Sequence, residues 1–426
     1  MLTSEENELL CRVEGDAPMG QLMRRHWIPV CLSEEVAVPD GRPLRLKILG
    51  EELVAFRDSE GRLAVMDGHC PHRRALLAFG RNEDCGLRCL YHGWKIDVEG
   101  NVTEMASEPP GSPLLDKVKH RVFPSEEAGG FVWAYLGPQE AMTPFQRPAF
   151  APNDEVQVSI LKIKMPCNWA QILEGAIDSA HSSSLHASDM KPARVEGAEA
   201  DDKSWYRPST DKSPRLQVER TPYGFHYAAL RRPIKSAATH EYVRVTEYIA
   251  PFTALIPPNN LYNVTNVNVP VDDETTMFHF IAWGDPASCI GTEDWRAFCR
   301  AVPGVDLDED WTPRRSLENR FLQDRARMAE GDTTGIEGIP NQDMAMWVGM
   351  GPIVDRTRDI LGSSDLAIVE FRRMMVEAAR RMAADGQALG VGPEVPAQVE
   401  IAAYQEVIPK TVDWRARVRA ASVAAE

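Results

Sequence analysis

The chain has 426 residues, 43% of them hydrophobic and 26% charged, a composition that suits a folded globular protein and excludes disordered or collagen-like chains. Its formal net charge of −16 speaks against nucleic acid or an anionic membrane surface as a partner, because both need a cationic face. The length asks for two domains of unequal size.

The opening residues, MLTSEENELL, lack a basic stretch followed by an apolar one, so no signal peptide is expected. No uncharged apolar run reaches the roughly 18 residues needed to cross a bilayer, and a cytoplasmic location is the expectation. The cysteines Cys11, Cys31, Cys70, Cys85, Cys89, Cys167, Cys289 and Cys299 are then read as thiols or metal ligands rather than disulfides.

In chain order, the first 30 residues read as helical, ending near Ile28-Pro29. From Leu44 to about Trp133 the pattern changes to short β-rich runs separated by turns such as Ser59-Glu60-Gly61 and Glu99-Gly100-Asn101, which predicts an antiparallel β domain. A Pro-rich stretch from Pro138 to Pro152 reads as a linker, placing a domain boundary near residue 155. The two domains are thus 1–155 and 156–426. In the second, a helix is expected over about Trp169 to His181, with strands over 225–234, 241–250, 260–271 and 276–283. A helix with Ile368, Phe371, Met375 and Met382 on one face starts after Ser363-Ser364-Asp365 and stops at Gly386. Antiparallel strands with helices packed on one side make this domain α+β.

The strongest chemical signal is Cys70-Pro71-His72 followed, after sixteen residues, by Cys89-Leu90-Tyr91-His92. Two Cys and two His can hold a tetrahedral zinc ion or a Rieske [2Fe–2S] cluster, in which the Cys bind one iron and the His the other. Zinc fingers pair Cys with Cys and His with His, whereas here each short loop supplies one of each, an arrangement that lets two loops clamp a two-iron cluster. His69 reads as a turn residue and Cys85 as a buried thiol.

A second cluster lies in NWAQILEGAIDSAHSSSLH. Glu174, Asp178 and His181 are spaced four and three apart, on one face of a helix. His186 lies about 140° farther round a regular helix, so His181 and His186 reach one metal only if the Ser182-Ser183-Ser184 run breaks it. With a carboxylate they would form the facial triad of non-haem Fe(II) oxygenases.

CPHRRALLAFGRNEDCGLRCLYHGWKID, NWAQILEGAIDSAHSSSLH and IPNQDMAMWVGMGPIVDRTRD together resemble the oxygenase (α) subunit of Rieske ring-hydroxylating oxygenases, in the phthalate dioxygenase branch, over essentially the whole chain. The resemblance implies a Rieske domain followed by a helix-grip catalytic domain. It implies His181, His186 and Asp343 as iron ligands, with Asp332 and Glu337 as competing carboxylates; Pro340 and Asn341 would open a helix presenting Asp343 in its first turn. Asp178 is implied as a bridging acid between His181 and His92 of the partner subunit. A head-to-tail homo-oligomer, a trimer or stacked hexamer, would then join centres that lie far apart within one chain.

No G-x-G-x-x-G follows a strand and no C-x4-C-x2-C occurs, so electrons are expected from a separate NADH-dependent reductase. Arg73, Arg74, Arg81, Arg88 and Lys95 outnumber Glu83 and Asp84 around the first motif, a docking patch or a set of solvated charges. The branch implies an aromatic carboxylate substrate, which arginine forks hold best. In EYVRVTEYIA, Tyr242, Arg244, Thr246 and Tyr248 alternate onto one strand face, making Arg244 the first candidate clamp. Arg207 is the second, and Arg231 and Arg232 are rivals. The expected reaction is cis-dihydroxylation of phthalate or a substituted benzoate, with O-demethylation of a methoxylated aromatic acid as the nearest alternative. A Rieske electron-transfer protein and a zinc-stabilised binding module are the alternatives from other classes.

Overall fold

The computed structural model describes residues 1–192, 205–258 and 261–423, and the chain divides into two compact units. The smaller comprises Val13–Asp16 and Met23–Phe145; the larger comprises Met1–Arg12, Ala17–Leu22 and Gln146–Glu426.

The smaller unit is antiparallel β. Trp27–Leu32 is a strand paired with Phe131–Tyr135, not the end of a helix; the helical pieces stop at Met23. Its register shifts between Pro29 and Cys31, because proline has no N–H to give the ladder. A four-stranded sheet of Arg81–Glu83, Gly86–Arg88, Trp94–Ile96 and Val102–Met105 carries one motif loop between its second and third strands. Cys70, Cys89, Leu77, Leu87, Trp94 and Ile96 share one apolar core, so the motif cysteines are anchored inside it. Asp84 and Cys85 both have positive φ, 49° and 57°, and make the two-residue turn between the first two strands. Cys85 therefore sits half-buried at a turn tip rather than in the core.

The larger unit is built on an eight-stranded antiparallel sheet. Its main path runs Gln157–Met165, Thr276–Gly284, Asn263–Pro270, Thr253–Ile256, His240–Ile249, Gly224–Arg231, Arg215–Thr221. Residue 260, the start of one expected strand, lies outside the described residues; the strand itself begins at Asn263. The His240–Ile249 strand divides one edge between two partners. Its last residues pair with Thr253–Ile256 and its first half with Tyr404–Pro409, which sets Arg244 opposite Gln405. Val243 and Val245 face away from the site, against Trp414 and Val418, leaving Arg244 and Thr246 on the other face. The Pro-rich stretch is not a free spacer: Ala149, Phe150 and Ala151 are buried.

The helix expected to reach His181 ends at Ala176. Glu174 consequently does not share a face with Asp178 and His181. It turns to a buried cluster in which Arg356 Nε donates to Glu174 Oε1 at 2.8 Å and Arg372 Nε donates to the same oxygen at 2.7 Å. Arg356 also donates to Asn7 Oδ1 at 3.1 Å, and this seats the N-terminal helix Ser4–Cys11 on the larger unit. The long helix Leu366–Asp385 buries Phe371, Met375 and Met382 and ends at Gly386, whose φ of 74° is the left-handed stop that glycine accepts without strain. Among the described residues no helix is long and apolar enough to cross a membrane.

Candidate metal centres and active site

In the smaller unit the two motif loops have the same backbone design. Cys70 N–H donates to Ala75 O and Arg74 N–H to Cys70 O, at 2.8 and 2.9 Å; Cys89 N–H donates to Trp94 O and Gly93 N–H to Cys89 O, at 2.8 and 3.0 Å. The fourth residue after each cysteine has positive φ, 58° at Arg74 and 74° at Gly93. Each loop thus folds back over its own cysteine. The imidazoles of His72 and His92 stand 4.4 Å apart between ring centroids, and His72 stacks on Trp94 at 4.7 Å. Both cysteines are buried, and His72 Nδ1 is buried with no hydrogen-bond partner among the described residues. Two thiols inside, two imidazoles beside them and an orphaned ring nitrogen fit a cluster bound with two Cys and two His.

The surrounding positive charge is largely consumed locally. Arg74 pairs with Asp67, Arg81 and Arg88 with Glu83, and Arg88 and Lys95 with Glu104. Arg73 lies over the Tyr91 ring. The loop tip between Cys89 and His92 is apolar instead, with Leu90 61% and Tyr91 57% exposed. His69 is a turn residue, its N–H donating to Asp67 Oδ1 at 2.8 Å.

In the larger unit His181, His186 and Asp343 offer one ligand atom each, all within 4.8 Å of one another. Asp343 Oδ1 is 3.1 Å from His186 Nε2 and 3.5 Å from His181 Nε2. The chain bends sharply to achieve this: the helix stops at Ala176, His181–Ser183 forms a 3-10 turn, and His186 follows as a separate arm. Asp343 comes from the helix Ile339–Gly349 with Pro340 at its start, and projects just past the first turn rather than within it. A Cβ on Gly175 would lie 2.3 Å from Trp347 Nε1, so glycine is what lets this helix come so close. Asp332 and Glu337 are occupied elsewhere, with Arg327. Two imidazoles and one carboxylate converging on a cavity fit a mononuclear iron with open coordination positions.

Each histidine has a neighbour behind it. Asp178 Oδ1 accepts N–H groups of Ala180 at 2.7 Å and His181 at 3.4 Å, and Oδ2 stands 3.5 Å from His181 Nδ1, which is buried and makes no hydrogen bond among the described residues. Burial pushes the Asp178 carboxyl up, but His181 and the backbone donors outweigh it and hold it below the usual range. Gln342, which the sequence reading missed, accepts from His186 Nδ1 at 2.7 Å. Its own amide nitrogen donates to Asp189 Oδ2 and Ile336 O, both at 2.9 Å. That chain fixes which imidazole nitrogen faces the metal position. Its only sequence signal is adjacency to Asp343.

The triad opens into a cavity of about 680 Å³ including its mouth, lined by Arg207, Arg244, Tyr227, Phe278 and Phe280 among others. Arg207 donates to Ser182 Oγ at 2.9 Å and Ser183 Oγ at 3.3 Å. The serines expected only to break a helix thus also hold a guanidinium. Arg244 donates to Gln405 Oε1 at 2.7 Å and to the Tyr242 hydroxyl at 3.2 Å. Arg231 stands behind the wall and donates to Ser179 O at 2.6 Å and Ser179 Oγ at 3.1 Å, while Arg232 is exposed. Burial, then the charges of Arg244 and Arg231, pushes the Arg207 guanidinium down to about 9. None of the three buried arginines has a carboxylate partner among the described residues.

Replacing Gln342 with Leu should weaken Fe(II) binding at the triad by about 10- to 100-fold while leaving the visible spectrum of the cluster unchanged. Metal titration of the cluster-loaded protein checks this, and undiminished iron affinity would contradict the role given to Gln342.

Comparison with known proteins agrees with this geometry. Residues 26–120 match the Rieske [2Fe-2S] domain model and residues 134–426 match the model described as LigXa C-terminal domain like. The chain is 62% identical to the phthalate 4,5-dioxygenase oxygenase subunit of Pseudomonas putida, over 97% of this chain and 94% of that one. It is 34% identical to the 3-chlorobenzoate-3,4-dioxygenase oxygenase subunit of Comamonas testosteroni, over 97% of each. The solved structure of a Pseudomonas putida CBB5 NdmA mutant with caffeine shares the fold, with a TM-score of 0.60 at 19% identity over 87% of this chain and 95% of that one. The chain belongs to the Rieske oxygenases with a LigXa-type catalytic domain: it is the oxygenase subunit of a multicomponent enzyme that uses a [2Fe–2S] cluster and a mononuclear iron and takes its electrons from a separate protein.

Proposed function

We propose that this subunit binds an aromatic carboxylate and dihydroxylates its ring in cis, with phthalate or a substituted benzoate as substrate. The observation that carries the reading is the placement of Arg207 and Arg244 in the same cavity as His181, His186 and Asp343, with no carboxylate among the described residues to pair them. A planar carboxylate matches the guanidinium fork, and it supplies the charge that the buried arginines lack. The name of the 62% identical relative, a phthalate 4,5-dioxygenase subunit, supports the same class.

In this reading Cys70, His72, Cys89 and His92 hold the cluster, and His181, His186 and Asp343 hold the iron. When bound, these groups supply electrons and the activation of O2. The protein's own part is placement. Arg207 and Arg244 fix the acid end of the substrate, and Phe278 and Phe280 bound the apolar part of the cavity that takes the ring. Asp178 and Gln342 orient the two imidazoles. Asp178 has a second task as the bridge to His92 of the partner subunit. The exposed apolar tip at Leu90 and Tyr91 supports an assembly in which that region is covered. The assembly is a homotrimer or stacked hexamer in the cytoplasm, served by an NADH-dependent reductase.

Truncating Arg244 to Ala should raise KM for the acid by roughly ten- to a hundredfold, the worth of hydrogen bonds to a charged group. A rise of less than a few-fold in steady-state assays would contradict the clamp. Asp178→Asn should leave both metal centres loaded by iron analysis yet nearly abolish turnover coupled to product; full retention of coupled activity would remove the bridging role.

A further inference from the structure

Among the described residues the cavity floor holds one amide that neither the clamp nor the triad uses. Asn266 is 4% exposed, lines the cavity, and has its Oδ1 buried with no hydrogen-bond partner among the described residues. Its neighbours on that wall, Val264, Phe278 and Phe280, are apolar, so leucine would satisfy the packing and asparagine leaves a polar group unmet. A buried amide with nothing to bond, facing a ligand cavity, points to the ligand.

Strand register says which end of the ligand. Arg244 and Tyr248 are four residues apart on one strand, roughly 13 Å along it. Tyr248 is opposite Ala254, and Ala254 is opposite Asn266. Asn266 thus lies in the row of Tyr248, two strands across from it, roughly 10 Å. Arg244 and Asn266 thus stand in different rows of the floor, and the Arg244 guanidinium donates to Pro257 O, beyond the Ile256–Val264 pair rather than at the row of Asn266. A one-ring acid gripped at the arginine end presents its far ring edge to Asn266.

We propose that Asn266 is a specificity-determining residue that reads hydroxyl groups on the ring edge remote from the carboxylate, accepting through Oδ1 and donating through its amide nitrogen. The pocket then favours acids that carry hydroxyl groups at that edge, ring-hydroxylated aromatic acids and the non-aromatic cis-diol product alike, over acids bearing an apolar group there. The inference rests on the aromatic-acid reading of the cavity.

The test is calorimetric titration of the iron- and cluster-loaded protein without reductant or O2, so that no turnover occurs. Phthalate, 4-hydroxyphthalate and 4-methylphthalate are each titrated into wild type, Asn266→Leu and Asn268→Leu. Asn268 is the control. It follows Asn266 on the same strand face, is fully buried, and has both side-chain polar atoms unpartnered, but it does not line the cavity. The Asn266→Leu protein should lose about tenfold in preference for the hydroxy over the methyl acid and bind phthalate within about twofold of wild type; the preference should not change in Asn268→Leu. If Asn266→Leu does not fold, Asn266→Ser should shift the preference in the same direction. An unchanged preference with intact phthalate binding overturns the inference alone, as does an equal shift in Asn268→Leu. If wild type binds none of the acids, the carboxylate clamp fails and this inference falls with it.

Discussion

A buried cation destabilises a protein unless an opposite charge meets it, and the catalytic unit handles its buried arginines in two opposite ways. Arg356 and Arg372 converge on one carboxylate, Glu174, and the cluster ties the N-terminal helix to the unit. Arg207, Arg231 and Arg244 meet only hydroxyl, amide and carbonyl oxygens of the described residues. Their environment lowers Arg207 and Arg231 to about 9 and about 10, through burial first and mutual repulsion second. Hydroxyls and carbonyls orient a guanidinium but do not neutralise it. On the aromatic-acid reading proposed above, an anionic ligand supplies the charge this arrangement lacks.

The same division of labour appears at the candidate metal centres. Ligand atoms are brought together by chain bends: two matched loops around Cys70 and Cys89, and a broken helix between Ala176 and His186. Their orientation is set by neighbours that are not ligands. Asp178 stands behind His181 and Gln342 behind His186, and Gln342 is held in turn by Asp189 and a backbone carbonyl. Such support turns the imidazoles toward the metal position.

Much of this was legible in the sequence because the signals are local. The mixed Cys-His spacing, the two histidines interrupted by three serines, and the alternation that puts Arg244 opposite Val243 and Val245 all depend on a few consecutive residues. What escaped depends on contacts across the chain. The Trp27–Leu32 strand carries a proline and follows helical segments, so only its pairing with Phe131–Tyr135 reveals it. Glu174 sits at helical spacing from His181, but the helix ends between them and its partners lie 182 and 198 residues away. The need for glycine at 175 appears only when Trp347 is placed against it. Gln405, opposite Arg244, comes from a strand at the far end of the chain.

Whether this cavity presents an aromatic acid to the iron by its carboxylate is read most directly from the product. The iron- and cluster-loaded subunit, with a compatible reductase, NADH and O2, would be given phthalate, isophthalate, 3-substituted benzoates and methoxylated benzoates, with ring products and formaldehyde both quantified. A clamped aromatic acid should give a cis-diol of an unmethoxylated acid, formed in step with NADH use and without formaldehyde. Stoichiometric formaldehyde from the methoxylated acids, with no diol from phthalate or the benzoates, would contradict it and make the enzyme an O-demethylase.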